Sequence, residues 1–300
     1  MGQFTTLGLV GRRDNPGVTE SLQTVIEFAA AHRLDVVLET FTAGMLTNET
    51  TAALPVAARD QLGDRCDLLV VVGGDGSLLG VGRELARAQI PVVGVNRGGL
   101  GFLAAVPPDQ IETQLAQVLN GDFLIEKRFL LDANIVRDGI ELPGSNALND
   151  IVVHAGTMAR MMELALSING EFVYDQRSDG LIISSPTGST AYALSAGGPI
   201  MHPDLDAIVV VPMFPHTLTA RPIVVPGDAQ LEIRLGSVSD NTPQMSCDSQ
   251  VDFDLREGDC VRIRKYPHPL QMIYPSGHSF YETCRSKLDW GSRLANPNQT

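Results

Sequence analysis

Gly73-Gly74-Asp75-Gly76-Ser77 follows five consecutive apolar residues, Leu68 to Val72. Glycines at the end of a buried strand let the backbone approach a ligand closely, and the N-terminus of a following helix favours anions. Asp75 does not suit a loop that only cradles anions. Its carboxylate repels them, and the cost grows as water is excluded. A carboxylate there accepts a proton, grips a hydroxyl or helps place a metal ion; otherwise it is a helix N-cap. A second glycine-rich loop, Asn96-Arg97-Gly98-Gly99-Leu100-Gly101-Phe102, ends the next apolar run. In an open parallel sheet, ligands bind beyond the carboxyl ends of the strands, so two such loops imply one crevice.

Three polar groupings follow. Asn149-Asp150 stands before the apolar run Ile151–Val153, where carboxamide and carboxylate together suit vicinal hydroxyls of a sugar, or else a turn. Arg177-Ser178-Asp179-Gly180 reads as further ligand-binding groups or as a surface ion pair with a turn. Ser185 to Ser195 carries six hydroxyl side chains in eleven residues, which makes it donor-rich, and Gly188, Gly197 and Gly198 lie in or just after it. The P-loop pattern, the Rossmann G-x-G-x-x-G and the protein-kinase signatures are absent.

Elements that could position these residues are legible. Residues 1–125 alternate strand and helix signals, as in a parallel sheet covered by helices. Strands are expected at Thr5–Val10, Asp67–Val72 and Ile90–Val95, and helices at Val18–His32, Leu78–Gln89 and Pro108–Leu119. Beyond Gly121 the segments become short and β-branched, with Asp138-Gly139 and Asn169-Gly170 as hairpin signals. Residues 126–275 are therefore expected to form an all-β domain, and 276–300 a tail with a terminal helix over Ser279–Trp290.

Composition bounds the partners. Hydrophobic residues make up 44%, enough for a sizeable core. The formal net charge of −13 argues against nucleic acid and leaves a phosphorylated ligand to local amides, a few arginines or a metal ion. No apolar stretch suits a transmembrane helix, and no leader pattern opens the chain, so no membrane partner is expected. Cys66, Cys247, Cys260 and Cys284 form no C-x-x-C pair and no zinc spacing, which suits reduced thiols in the cytoplasm.

Taken in order, these motifs are similar to those of the NAD kinase family over nearly the whole chain. Gly73–Ser77 resembles its first motif and Asn149-Asp150 its Asn-Glu motif. Asp179-Gly180 through Thr187-Gly188-Ser189-Thr190-Ala191-Tyr192 resembles its third. Asn96–Phe102 and Ser246-Cys247-Asp248-Ser249-Gln250 match as well. Diacylglycerol kinases and phosphofructokinases share the first motif alone; the combined set is specific, and is most similar to ATP-using proteobacterial members. The resemblance implies a Rossmann-like N-terminal domain, a C-terminal β-sandwich and a tail returning to the first domain. It implies transfer of the γ-phosphoryl of ATP to the 2′-hydroxyl of NAD's adenosine ribose, with Asp75 as proton acceptor. Amides of Gly74 and Gly76 would bind phosphate oxygens, and Mg²⁺ would bridge the donor phosphates, with no protein metal ligand assigned. Gly76 and Phe102 would line the NAD crevice, and Asn149 and Asp150 would hold adenosine. Arg160, Arg177, Asp179, Thr187, Thr190, Ala191, Tyr192, Ala193, Leu194, Ser195 and Gln250 would complete the site. Family members are homodimers or homotetramers whose subunits share ligands. Asp150 departs from the family's usual Glu by one methylene. Two other readings remain at this stage: a diacylglycerol-type lipid kinase, and a non-catalytic NAD(P)-binding regulator.

Overall fold

Leu68–Gly73 is buried at every position because it lies mid-sheet, paired in parallel with Thr6–Gly11 on one side and Pro91–Asn96 on the other. A strand covered on both faces needs apolar residues without alternation, which is what the run Leu68 to Val72 supplies. The computed structural model describes residues 4–12, 15–46, 49–98, 101–156, 161–237 and 242–290. The chain divides into two compact units, residues 1–127 with 270–300, and residues 128–269.

The first unit is built on a seven-stranded sheet. Its order is Val56–Ala57, Asp35–Glu39, Thr6–Gly11, Leu68–Gly73, Pro91–Asn96, Leu270–Pro275 and Phe123–Arg128. Helix Pro16–His32 packs Val18, Leu22, Val25 and Ala29 into the core with Leu68, Val70 and Val72. Asn15 caps it by accepting from the Gly17 N–H at 3.0 Å. Helix Ile111–Leu119 buries Ile111, Leu115 and Val118, the stripe its periodicity required. This is the Rossmann-like α/β layout expected.

The second unit is a sandwich of two six-stranded sheets. Leu131, Ala133, Ile135, Leu164 and Ile233 from one sheet meet Ile151, Val153, Leu181, Ile183 and Val210 from the other in one core. Both hairpin dipeptides adopt left-handed backbone, with φ of 51° and 80° at Asp138 and Gly139, and 52° and 80° at Asn169 and Gly170.

The second domain boundary lies earlier than the sequence suggested. Residues 270–275 fall inside the range 126–275 expected for the β domain; instead Leu270–Pro275 pairs in parallel with Pro91–Asn96 in the first sheet, through Gln271–Pro91 and Met272–Val92. Its apolar run gives no sign of which sheet it joins. The first boundary falls after Lys127 rather than 125. Helix Phe280–Leu288 follows with Cys284 fully buried and Ser279 as its N-cap.

Candidate active site

In the first unit, Gly73 and Asn96 end their strands in register. The two glycine-rich loops therefore leave the sheet side by side. Arg97 N–H donates to the Gly73 carbonyl at 2.7 Å, and Asn96 turns its own loop by accepting from Gly98 N–H at 3.0 Å. A Cβ added to Gly98 would lie 3.0 Å from the Gly74 Cα, so the loops touch backbone to backbone and side chains there would part them. Arg97 turns back to the first helix. Its guanidinium donates to Ser21 at 2.7 Å and Glu20 at 2.9 Å, bracing the loop on the first helix.

Asp75 is the first residue of helix Asp75–Leu85, and Gly74 is the N-cap, without a side-chain cap. Its carboxylate does not cap its own helix. It reaches to the second loop, where Oδ2 accepts from Phe102 N–H at 2.6 Å and Oδ1 from Leu103 and Ala104 N–H at 3.0 and 3.2 Å. A carboxylate has roughly four acceptor sites. Among the described residues, one position on Oδ2 is therefore left without a donor. Gly101 makes room: a Cβ there would sit 2.6 Å from Oδ1. Gly74 is half-buried and Gly76 exposed.

Two cations near these loops went unread in the sequence. Arg12, exposed at the end of the first strand, packs its Cβ within 3.1 Å of where a Gly73 side chain would start. Its position at a strand's carboxyl end was the available signal. Lys287 and His278 line a hollow of ≈ 260 Å³ with Asn96 and Phe102. Nothing local in the tail announces that.

In the second unit, Asn149 and Asp150 open strand Asp150–His154. Asp150 is 2 % exposed. Burial, and then the charge of Asp248, push its carboxyl up to about 7. No hydrogen bond from another described residue offsets that, so the group lacks a partner that a ligand hydroxyl would supply. The hydroxyl-rich loop lies against the same segment. Ser185 N–H donates to the Asn149 carbonyl at 2.9 Å, and Ser185 Oγ to the Leu148 carbonyl at 2.5 Å. Gly188 permits this, since a Cβ there would fall 2.1 Å from the Asn149 carbonyl oxygen.

Much of that loop's polarity is spent internally. Ser189 Oγ donates to the Pro186 carbonyl at 2.6 Å and accepts from Met201 N–H, and Thr190 Oγ1 donates to the Thr187 carbonyl. Thr187 is buried, Ala191 and Leu194 are half-buried, and Ser195 is exposed. Ala193 packs in a small core with Val209 and Val211, leaving no side chain for a ligand.

Asp179 and Tyr192 are brought together in a cavity of ≈ 330 Å³ with Val152, His154, Phe214 and Ser249. Burial lowers the His154 imidazole below its ordinary value. Phe214 is 79 % exposed with φ of 44°, a left-handed conformation that bulky residues avoid unless a site requires it. Gln250, exposed, follows Ser249 in the turn after Gln244–Cys247. Arg177 is elsewhere: it pairs with Glu163 across neighbouring strands and lines a separate groove with Arg234. Arg160 lies outside the described residues.

The profile of the ATP-NAD kinase N-terminal domain matches residues 7–123, and that of the ATP-NAD kinase C-terminal domain residues 148–274. The chain is 50% identical over 295 residues to the NAD kinase of Marinobacter nauticus, covering 98% of this chain and 99% of the relative. It is 50% identical over 294 residues to the NAD kinase of Azotobacter vinelandii, with the same coverage. Among solved structures, a yeast NADH kinase complexed with NADH superposes with a TM-score of 0.87 at 25% identity, covering 97% of this chain and 90% of that one. An Archaeoglobus fulgidus NAD kinase in complex with ATP shares the fold, with a TM-score of 0.74 at 23% identity, covering 95% of this chain and 99% of that one.

Proposed function

The chain belongs to the NAD kinase family, and we propose that its Asp75 takes the proton of NAD's adenosine 2′-hydroxyl as the γ-phosphoryl of ATP arrives. The overall reaction is phosphorylation of NAD to NADP, with ATP as donor. Phosphoryl transfer asks little covalent work of a protein; positioning and charge neutralisation dominate. The observation that carries the reading is the Asp75 carboxylate beside two glycine-rich loops, held by three backbone N–H groups and left one acceptor position by the described residues. Amides of Gly74 and Gly76 bind phosphate oxygens, and Arg12 lends positive charge at the same strand ends. Asn149 and Asp150 hold the adenosine ribose, and Phe102, Thr187 to Ser195, Asp179, Arg160 and Gln250 contribute to the nucleotide site; Arg177, paired with Glu163 in a separate groove, is not counted among them.

Mg²⁺ suits this donor set. Among the described residues no three His, Cys, Asp or Glu side chains gather into a metal cage, and Mg²⁺ commonly rides on substrate phosphates and waters with one or two carboxylates at most. When bound, it neutralises charge on the transferring phosphoryl group. We place the protein in the cytoplasm, supported by four free cysteines. No helix among the described residues is long and apolar enough to cross a membrane. We propose a homodimer or homotetramer, supported by the exposed Phe214 and Leu218.

Incubation with ATP, Mg²⁺ and NAD, read by an NADP-specific dehydrogenase, is expected to give NADP. NAD binding without turnover would leave a regulator instead. Gly101→Ala tests the geometry of the base. Its Cβ would press on Oδ1 at 2.6 Å, and Asp75 cannot yield without breaking its amide bonds. A misplaced catalytic group loses rate steeply, so kcat is expected to fall roughly tenfold or more. An unchanged kcat would mean that the carboxylate need not be held there.

A further inference from the structure

We infer that Asp248 is a positioning residue for NAD: its carboxylate clasps the Asn149–Asp150 segment and so fixes how the adenosine end of the substrate is gripped. This rests on the reading that Asp150 holds the ribose.

Asp248 accepts from three successive N–H groups, those of Leu148 at 3.0 Å, Asn149 at 2.7 Å and Asp150 at 3.3 Å. It returns the contact through its own N–H, which donates to the Asp150 carbonyl at 2.9 Å. Four bonds thus join two segments 98 residues apart or more in the sequence. On the other side, Ser185 holds the carbonyls of Leu148 and Asn149. The segment is gripped from both flanks, and its peptide planes have little freedom left.

Bonding these amides serves the fold, but a neutral acceptor would do so without a buried charge. Asp248 is 5 % exposed, and a buried carboxylate is costly to desolvate. It also sets a like charge beside Asp150. The turn that presents it uses two non-glycine left-handed residues, Asp248 and Ser249, each with φ of 53°. Local rules broken together without a packing gain mark a functional site. What the clasp delivers is a fixed Asp150, a group with no hydrogen-bond partner of its own among the described residues.

Few other groups that titrate face Asp150. The flanking strand Gly180–Ser184 carries none, and Gln244–Cys247 carries only the buried Cys247 thiol. His154 lies at the far end of Asp150's own strand. Asp248 is therefore the neighbour whose removal should lower the Asp150 titration.

Asp248→Asn keeps size but replaces one accepting oxygen by a donor. With the fold checked by melting, KM for NAD is expected to rise roughly five- to tenfold, with kcat and KM for ATP nearly unchanged. The acid limb of kcat/KM for NAD should move to lower pH. In an Asp150→Ala background the same substitution should raise KM for NAD no further. An NAD KM within twofold of wild type, a parallel rise in both KM values, or full additivity with Asp150→Ala would overturn the proposal. If Asp248→Asn does not fold, NAD affinity of the wild-type protein is followed against pH. An acid limb well above the ordinary carboxylate range is expected, and one near 4 overturns the proposal. A wild-type protein that binds no NAD would overturn the functional reading itself, and this inference with it.

Discussion

Asp75→Asn is expected to lower kcat by two orders of magnitude or more while NAD still binds. A ribose hydroxyl is a weak nucleophile at neutral pH, and a positioned general base typically contributes ~10²–10⁴-fold. The substitution would be nearly silent if Asp75 were a helix cap, since Asn caps about as well as Asp. That alternative loses its basis, because the carboxylate bonds Phe102, Leu103 and Ala104 rather than its own helix. A different structural role takes its place: Asp75 ties the second glycine-rich loop to the first. Asn retains one accepting oxygen and turns an NH₂ group towards the remaining N–H donors, so some stability is lost, about 1–3 kcal/mol for an amide left unsatisfied. The two roles separate in the kinetics. A base that cannot accept the proton loses kcat at preserved NAD affinity; a loosened loop raises the KM values and leaves kcat within a few-fold. Titration of NAD, a melting curve and kcat on the one variant decide between them. A folded Asp75→Asn protein with near-normal kcat would remove the base from the mechanism.

Elements whose signals are local were legible in the sequence. Leu68 to Val72 suits a strand covered on both faces and forms one, and Asp138-Gly139 and Asn169-Gly170 take the left-handed turns their types favour. Asp75 stood out because its charge conflicts with its loop. The features that escaped depend on partners distant in the chain. Leu270–Pro275 joins the first sheet across more than a hundred intervening residues, and no periodicity encodes which sheet a strand joins. Asp248 lies in a segment, 246–250, that resembles the family's, yet its task is defined by amides at 148–150. The hydroxyls after Ser184 read as ligand donors by number. The fold uses Ser185 and Ser189 to bond backbone, because a buried irregular loop must satisfy its own carbonyls.

Asp150→Ala is expected to weaken NAD binding and Asp150→Asn to stabilise the protein without NAD. A hydrogen bond between a carboxylate and a hydroxyl is worth about 1.5–3 kcal/mol, so the net loss of one should raise KM for NAD roughly 10–100-fold while KM for ATP stays put. Stability moves the other way, and its sign follows from the titration. In the folded protein the Asp150 carboxyl is pushed up to about 7 from an ordinary 3.8, first by burial and then by Asp248. Between those values the native chain keeps a proton that the unfolded chain has released. Stability therefore falls as pH rises through that window, and above it the whole penalty of an ionised, buried Asp150 is present. Asp150→Asn keeps the volume and removes the charge. Its melting point should exceed that of the wild type by several degrees at pH 8, with the gap narrowing through pH 5 and closing only near the ordinary carboxyl value of 3.8. NAD binding should show the counterpart. Wild-type KM for NAD rises as pH falls below 7 and protonation removes an acceptor, whereas KM of Asp150→Ala stays flat across the same range. A melting advantage that is the same at pH 5 and pH 8 would show that Asp150 titrates as an ordinary carboxyl, and an Asp150→Ala KM that rises for ATP instead of NAD would move the residue to the donor side.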